Sequence, residues 1–183
     1  KEHFKKIIAP NNEKVIVHTS NFRKVKRVPD VLKVFRKITK EIPAKMLFIG
    51  DGPERASIEK ECISCNLCKD ITFLGKQEAV EEILSIADLF IIPSETESFG
   101  LAALEAMACE VPVISTNAGG LKEVNIDGVT GFTSDVGDTD KMAKDSLYIL
   151  KEENLNQFKA LAKMQSLKFK LDTILPIYEK LYQ

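Results

Sequence analysis

Apolar residues along this chain come in short continuous blocks rather than in strict alternation. "KVIVHT" (14–19), "KMLFIG" (45–50), "ITFLG" (71–75), "LFIIP" (89–93) and "VPVIST" (111–116) are rich in β-branched or aromatic residues and too short for helices. They read as strands. Continuous apolarity implies that both faces of each strand are covered, the condition of a parallel sheet between helical layers. Between the strands the period changes. Val31, Leu32, Phe35 and Ile38 recur at helical spacing after Pro29 and Asp30, which suit a first helical turn. Segments 54–65, 79–86 and 99–109 fill the other crossovers. The expectation is an α/β fold, a doubly wound parallel sheet with helices on both faces and right-handed crossovers.

Beyond Thr116 the pattern loosens. "NAGG", "DGVTGF" and "DVGD" mark turns. Residues 139–151 and most of 154–182 read as helical, with Pro176 breaking or restarting the last helix. No repeat or composition shift divides the chain, so 1–183 reads as a single domain; 183 residues at 44% hydrophobic content suffice for its core.

Charge narrows the possible partners. The 26 basic and 27 acidic side chains nearly cancel, so any anion must be held by a local site. The basic run "FRKVKR" comes without an aromatic or glycine-rich nucleic-acid signature, and no nucleic-acid partner is expected. No apolar run approaches the roughly 20 residues that cross a bilayer, and "KEHFKKIIAP" lacks a signal-peptide core. A cytoplasmic protein without a membrane span is expected. Cys62, Cys65 and Cys68 cluster in "CISCNLC" and Cys109 stands apart, which is not the framework of a small secreted domain; reduced thiols are expected. The cluster has iron–sulfur spacing but lacks a fourth ligand, so no metal is assigned. His3 and His18 are the only histidines, no Ser–His–Asp or Cys–His set can be argued, and His18 reads as a satisfied structural residue.

In open parallel sheets ligands sit at the carboxyl ends of the strands. The loops there are "SNFRKVKR", "GDGP", "GKQE", "SETESFG" and "NAGG", so every candidate motif falls on one rim. The helix beginning near Gly100 directly follows a buried strand, and its unpaired N–H groups and positive dipole end suit a phosphate. Gly100 has no side chain to block close approach, and the Gly100 and Leu101 amides would donate. The competing reading makes Ser98 or Glu97 a mere helix cap. Lys26 and Arg23 would supply charge against a diphosphate. Glu97 and Glu105 would be repelled by phosphate and suit hydroxyl groups instead. Phosphate plus hydroxyls describes a nucleotide sugar.

"ETESFGLAALEAMACEVPVIST", followed by "NAGGLKEVNIDGVTGF", resembles the donor-binding half of retaining glycosyltransferases of the GT-B fold, family four, whose signature is Glu, seven residues, Glu. Within that family, "HTSNFRKVKRVPDVLKVF" with "GDGP" and "FLGKQE" resembles the branch that transfers N-acetylglucosamine to L-malate in bacillithiol biosynthesis. The resemblance implies a Rossmann-like domain, one half of a GT-B fold, with UDP-GlcNAc as donor. It further implies no metal or other cofactor, and an N-terminal half, outside these residues, that binds the acceptor. The isolated domain would then transfer no sugar. By the same resemblance, Glu97 would contact the donor sugar, Lys26 the diphosphate and Glu105 the ribose. Ser98, Phe99, Gly100 and Leu101 would line the sugar and diphosphate, and the backbone at Gly75, Lys76 and Gln77 would lie near uracil. The family's arginine after the first strand falls on Asn21, with Arg23 two residues on; Glu110 stands where glycine often ends the signature helix. Another donor or acceptor within the family, or a non-catalytic nucleotide-sugar-binding module, remains open on the sequence.

Overall fold

The computed structural model describes residues 2–170, so the reading of Pro176 lies outside the described residues. Six parallel strands, β1 (Lys14–Thr19), β2 (Ala44–Ile49), β3 (Ile71–Gly75), β4 (Leu89–Ile92), β5 (Val113–Thr116) and β6 (Gly131–Ser134), form one sheet in the order β3-β2-β1-β4-β5-β6. The crossover direction reverses between β1 and β4, which places a crevice at their carboxyl ends. The helices are α1 (Glu2–Ile8), α2 (Val28–Ile38), α3 (Arg55–Ser64), α4 (Val80–Leu84), α5 (Leu101–Ala108), α6 (Leu121–Val124), α7 (Thr139–Leu150) and α8 (Glu152–Leu167). Among the described residues, no helix is long and apolar enough to cross a membrane.

The continuous apolar runs have the expected cause. On β1, Ile16 packs into a core with Val31, Phe35 and Met142, while Val15 and Val17 point through the sheet into a second core with Ala103 and Met107. One strand thus feeds two hydrophobic layers, which excludes a polar face. The buried side of α2 is Val31, Leu32, Val34, Phe35 and Ile38, with Lys33 and Arg36 turned outward. Ala103 and Ala106 are fully buried on α5, so small side chains bring that helix close to the sheet.

At the opposite, amino end of the sheet, Asp88 is 3% exposed. Its carboxylate accepts from Lys5 Nζ at 2.8 Å, Lys159 Nζ at 3.0 Å and the Val15 amide at 3.0 Å, tying α1 and α8 to β1. Burial works to raise this carboxyl, but the Lys5 and Val15 hydrogen bonds and the two ammonium charges outweigh it and hold the group below the usual range.

Strand β6 was not expected. "GFTS" has no β-branched run and sits among turn signals. It is added at the sheet edge by backbone contact: a Cβ on Gly131 would stand 1.7 Å from the Val113 carbonyl oxygen. The buried Asn125 side chain bridges the two strands, donating from Nδ2 to Val113 O and Phe132 O, both at 3.1 Å.

Candidate functional site

A cleft of about 300 Å³ opens at the carboxyl ends of β1 and β4 and is lined by Thr19, Ser20, Asn21, Lys26, Ile92 and residues 97–102. Six of the sequence-derived candidates meet there: Asn21, Lys26, Glu97, Ser98, Phe99 and Gly100, with Leu101 on the first turn of α5 as a seventh. Thr19, Ser20, Ile92 and Ala102 were missed. Their positions at the ends of β1 and β4 and in the first turn of α5 could have found them, since that rule places ligands by strand end rather than by residue type.

Lys26 is held by a 3₁₀ turn over Lys24–Lys26, where its amide donates to Arg23 O at 2.8 Å. The same turn offers Val25 O to the Glu95 amide at 2.8 Å, docking the loop after β4 onto the loop after β1. With the two loops joined, Lys26 Nζ lies 2.6 Å from Glu97 Oε2, the two side chains only 20% and 15% exposed. Glu97 is therefore no helix cap. The N-cap of α5 is Gly100 at φ 93°, with no side-chain cap hydrogen bond, so neither Ser98 nor Glu97 takes the first-turn amides. Those amides have no acceptor within the helix and open onto the cleft through Gly100, Leu101 and Ala102.

Glycines hold the loop bearing Glu97. A Cβ on Gly119 would come within 2.0 Å of Glu97 O, and one on Gly120 within 2.6 Å of Ser98 O. The Gly120 amide donates to Glu97 O at 2.9 Å. On the other wall, a Cβ on Gly52 would stand 2.0 Å from Asn21 O, so "GDGP" serves as backbone packing behind Asn21.

His18 lies fully buried beneath this wall, with Nδ1 2.8 Å from Ile91 O and Nε2 2.8 Å from Ser20 Oγ. A carbonyl only accepts, so Nδ1 carries the proton and Nε2 accepts from the Ser20 hydroxyl. Ser20 Oγ in turn accepts from the Phe22 amide at 3.3 Å, where the chain turns at φ 39°. Burial pushes the imidazole down to about 4, against the Ile91 hydrogen bond and aided by the Lys26 charge. His18 is neutral and structural, and it fixes the loop that carries Asn21.

Other candidates are not gathered into the cleft. Glu105 is exposed one turn beyond Leu101 on the same stripe of α5, and its carboxylate makes no hydrogen bond or ion pair with the described residues. Arg23 is exposed at the head of the 3₁₀ turn. Gly75, Lys76 and Gln77 sit at the end of β3, two strands from β1 on the same rim; Gly75 has φ 67°, and Gln77 Nε2 donates to Leu74 O. Three buried hydroxyls, those of Thr19, Ser94 and Ser134, have no partner among the described residues, and all three stand at or just past the carboxyl ends of strands. An unpaired buried hydroxyl costs about 1–3 kcal/mol, an expense that functional rims tolerate. The cysteine cluster lies away from this rim, at the far end of α3, and among the described residues no group of three or more His, Cys, Asp or Glu side chains could hold a metal ion.

Known proteins resemble this chain in sequence and in fold. The family model described as glycosyl transferases group 1 matches residues 1–165. N-acetyl-alpha-D-glucosaminyl L-malate synthase of Bacillus anthracis is 44% identical over 173 residues, which is 93% of this chain and 45% of that protein. 2-deoxystreptamine N-acetyl-D-glucosaminyltransferase of Niallia circulans is 32% identical over 128 residues, 66% of this chain and 33% of that one. The chain thus spans less than half the length of these relatives. Among solved structures, Anabaena HepE in complex with UDP-glucose superposes with a TM-score of 0.88 at 22% identity, over 99% of this chain and 52% of that one, a likeness of fold.

Proposed function

The chain belongs to the group 1 glycosyl transferases, and from that premise we propose that it is the donor-binding half of a retaining glycosyltransferase that uses UDP-GlcNAc. The observation that supports this best is the Lys26–Glu97 pair facing the open amides of α5 across one cleft. A cation and free amides suit a diphosphate; a carboxylate beside them suits the hydroxyls of the attached sugar. That HepE is known with UDP-glucose supports a uridine donor, and the 44% identity to the malate synthase supports N-acetylglucosamine as sugar and L-malate as acceptor; a role in bacillithiol biosynthesis in the cytoplasm is part of the same proposal.

In the complete enzyme an N-terminal half would bring the acceptor hydroxyl to the anomeric carbon on the face from which the diphosphate departs. The carbon–oxygen bond to the diphosphate breaks as the bond to the acceptor oxygen forms, the acceptor's hydroxyl proton passes to the departing phosphate oxygen on the same face, and configuration is kept. Negative charge growing on the leaving phosphate meets Lys26 and the first-turn amides of α5, with no metal in the scheme. Oriented donors of this kind are each worth about 3 kcal/mol in comparable sites. Glu97 would orient the sugar, Glu105 the ribose, and Gly75 to Gln77 the base; Arg23 would reach the diphosphate from the rim.

The test is calorimetric titration of this chain with UDP, UDP-GlcNAc, UDP-glucose and GDP, paired with product analysis of the full-length enzyme given UDP-GlcNAc and L-malate. Heat with UDP and none with GDP, and an α-linked product from the full-length enzyme alone, is the expected result. Absence of UDP binding at millimolar concentration would overturn the donor assignment; turnover by residues 1–183 would overturn the division into halves.

A further inference from the structure

The donor site leaves "CISCNLC" without a role. The last turn of α3 ends in a tight reversal: Asn66 adopts φ 56°, its amide donates to Ile63 O at 3.0 Å, and the Leu67 amide reaches back to Cys62 O at 3.2 Å. These two hydrogen bonds, with a left-handed residue just past the cap, form a Schellman motif. The reversal buries Leu67 and lays Cys68 over the helix end, where its Sγ lies 3.5 Å from Cys62 Sγ. Cys62 is 2% exposed against Ile58 and Leu67, whereas Cys68 is open to solvent. Cys65, between them in sequence, is turned toward Arg36, whose Nη1 is 3.9 Å from its sulfur.

We propose that Cys62 and Cys68 are a thiol–disulfide exchange site whose reaction partner is a low-molecular-weight disulfide. The exposed Cys68 thiolate attacks one sulfur of that disulfide, breaking its S–S bond, forming a mixed disulfide and releasing one small thiolate. The Cys62 sulfur, already in contact, then attacks Cys68 Sγ, gives up its proton to solvent and expels the second small thiolate. Two protein thiols are oxidised to one protein disulfide, and the small disulfide is reduced to two thiols.

The order follows from the environment. Burial pushes the Cys62 thiol up to about 12, with the hydrogen bond and charge of Cys68 adding to the effect, so Cys62 cannot be the entering nucleophile. Capping Cys68 removes its share of that upward push, and the 3.5 Å separation of the sulfurs makes the attack of Cys62 intramolecular. Ring closure needs little chain reorganisation, because the backbone hydrogen bonds of the helix end already hold the sulfurs together; the closed bond would pin the end of α3 to the segment leading into β3.

The experiment treats the reduced protein with oxidised glutathione, alkylates the remaining thiols with a maleimide, and digests with trypsin. Residues 61–69 emerge as one peptide carrying all three cysteines. The expected product has lost two hydrogens and carries its single alkyl group on Cys65, as fragmentation shows; oxidation also raises the melting temperature. Cys62→Ala should stop at a glutathione adduct on Cys68, and Cys65→Ser should close as the native protein does. A bond that includes Cys65, a stable adduct on Cys68 in the native protein, or all three thiols alkylated after treatment would each overturn the proposal.

Discussion

The Lys26 ammonium and the Glu97 carboxylate, 71 residues apart in the chain, stand 2.6 Å apart across the cleft. Glu97 thus holds the cation that a diphosphate needs, and a donor must take Lys26 from it. Glu97→Gln keeps the shape and removes the competitor. Calorimetry should show UDP binding unchanged or a few-fold tighter, and UDP-GlcNAc weakened by about tenfold, the size of one lost charged hydrogen bond. Lys26→Ala should weaken both ligands by about 10- to 100-fold. Equal losses of UDP and UDP-GlcNAc in Glu97→Gln would remove Glu97 from the sugar.

Glu105 presents the opposite case, an exposed carboxylate whose partner is not in the described chain. Glu105→Ala should leave thermal unfolding of the free protein within about 0.5 kcal/mol, as an exposed, unpaired side chain does. Its affinity for UDP and UDP-GlcNAc should fall together by about tenfold, because both carry the ribose. Uracil, which has none, should bind the variant and the parent alike.

Much of this arrangement can be read from sequence because burial leaves a periodic record. The runs at Val15–Val17 and Leu89–Ile92 mark strands covered on both faces, and the rim follows from their shared direction. What leaves no such record is contact between distant backbones. Gly119 and Gly131 are each fixed by a carbonyl from another segment, so "NAGG" and "DGVTGF" read as turns with no sign of that packing or of a sixth strand. The Lys26–Glu97 pair depends on the Glu95–Val25 hydrogen bond, and no spacing rule reports it. Glu97 as a cap was plausible locally, until that tertiary partner drew it away.

The loop glycine can be tested against a control with similar torsion. Gly119 at φ 52° has Glu97 O in the path of a Cβ at 2.0 Å, while Gly128 at φ 71° has nothing nearer than Phe132 at 4.0 Å. Gly128→Ala should cost about 1 kcal/mol, the left-handed strain alone. Gly119→Ala must also push back the Glu97 backbone, so it should destabilise more and weaken UDP-GlcNAc at least about tenfold. Similar donor affinities in the two variants would mean that the loop position does not matter to binding.

His18 should make stability pH-dependent in a defined window. Its folded value of about 4 lies below the ordinary histidine value of 6.5, so the unfolded chain binds the proton more readily. The stabilisation is therefore complete above about pH 6.5 and is lost as pH falls toward 4, by about 1.4 kcal/mol per unit. Urea unfolding at pH 7.5 and 5.5 should differ by about that amount. His18→Gln, which cannot titrate, should be less stable at pH 7.5 and lack this step. The lowered Asp88 carboxyl acts below the usual carboxylate range and so does not mimic it.

Glu110 offers a gain in stability instead of a loss. Helix α5 ends in a Schellman motif, with Glu110 N–H bonded to Met107 O at 2.9 Å and Val111 N–H to Ala106 O at 3.0 Å, which forces Glu110 to φ 65°. The side chain is exposed, and its backbone pays left-handed strain that glycine would not. Glu110→Gly should stabilise the protein by about 1 kcal/mol and raise its melting temperature by about 2–4 °C for a domain of this size. Because the far end of α5 bears the cleft, UDP affinity should stay the same. A variant that melts lower would show that Glu110 makes a compensating contact worth more than the strain it imposes.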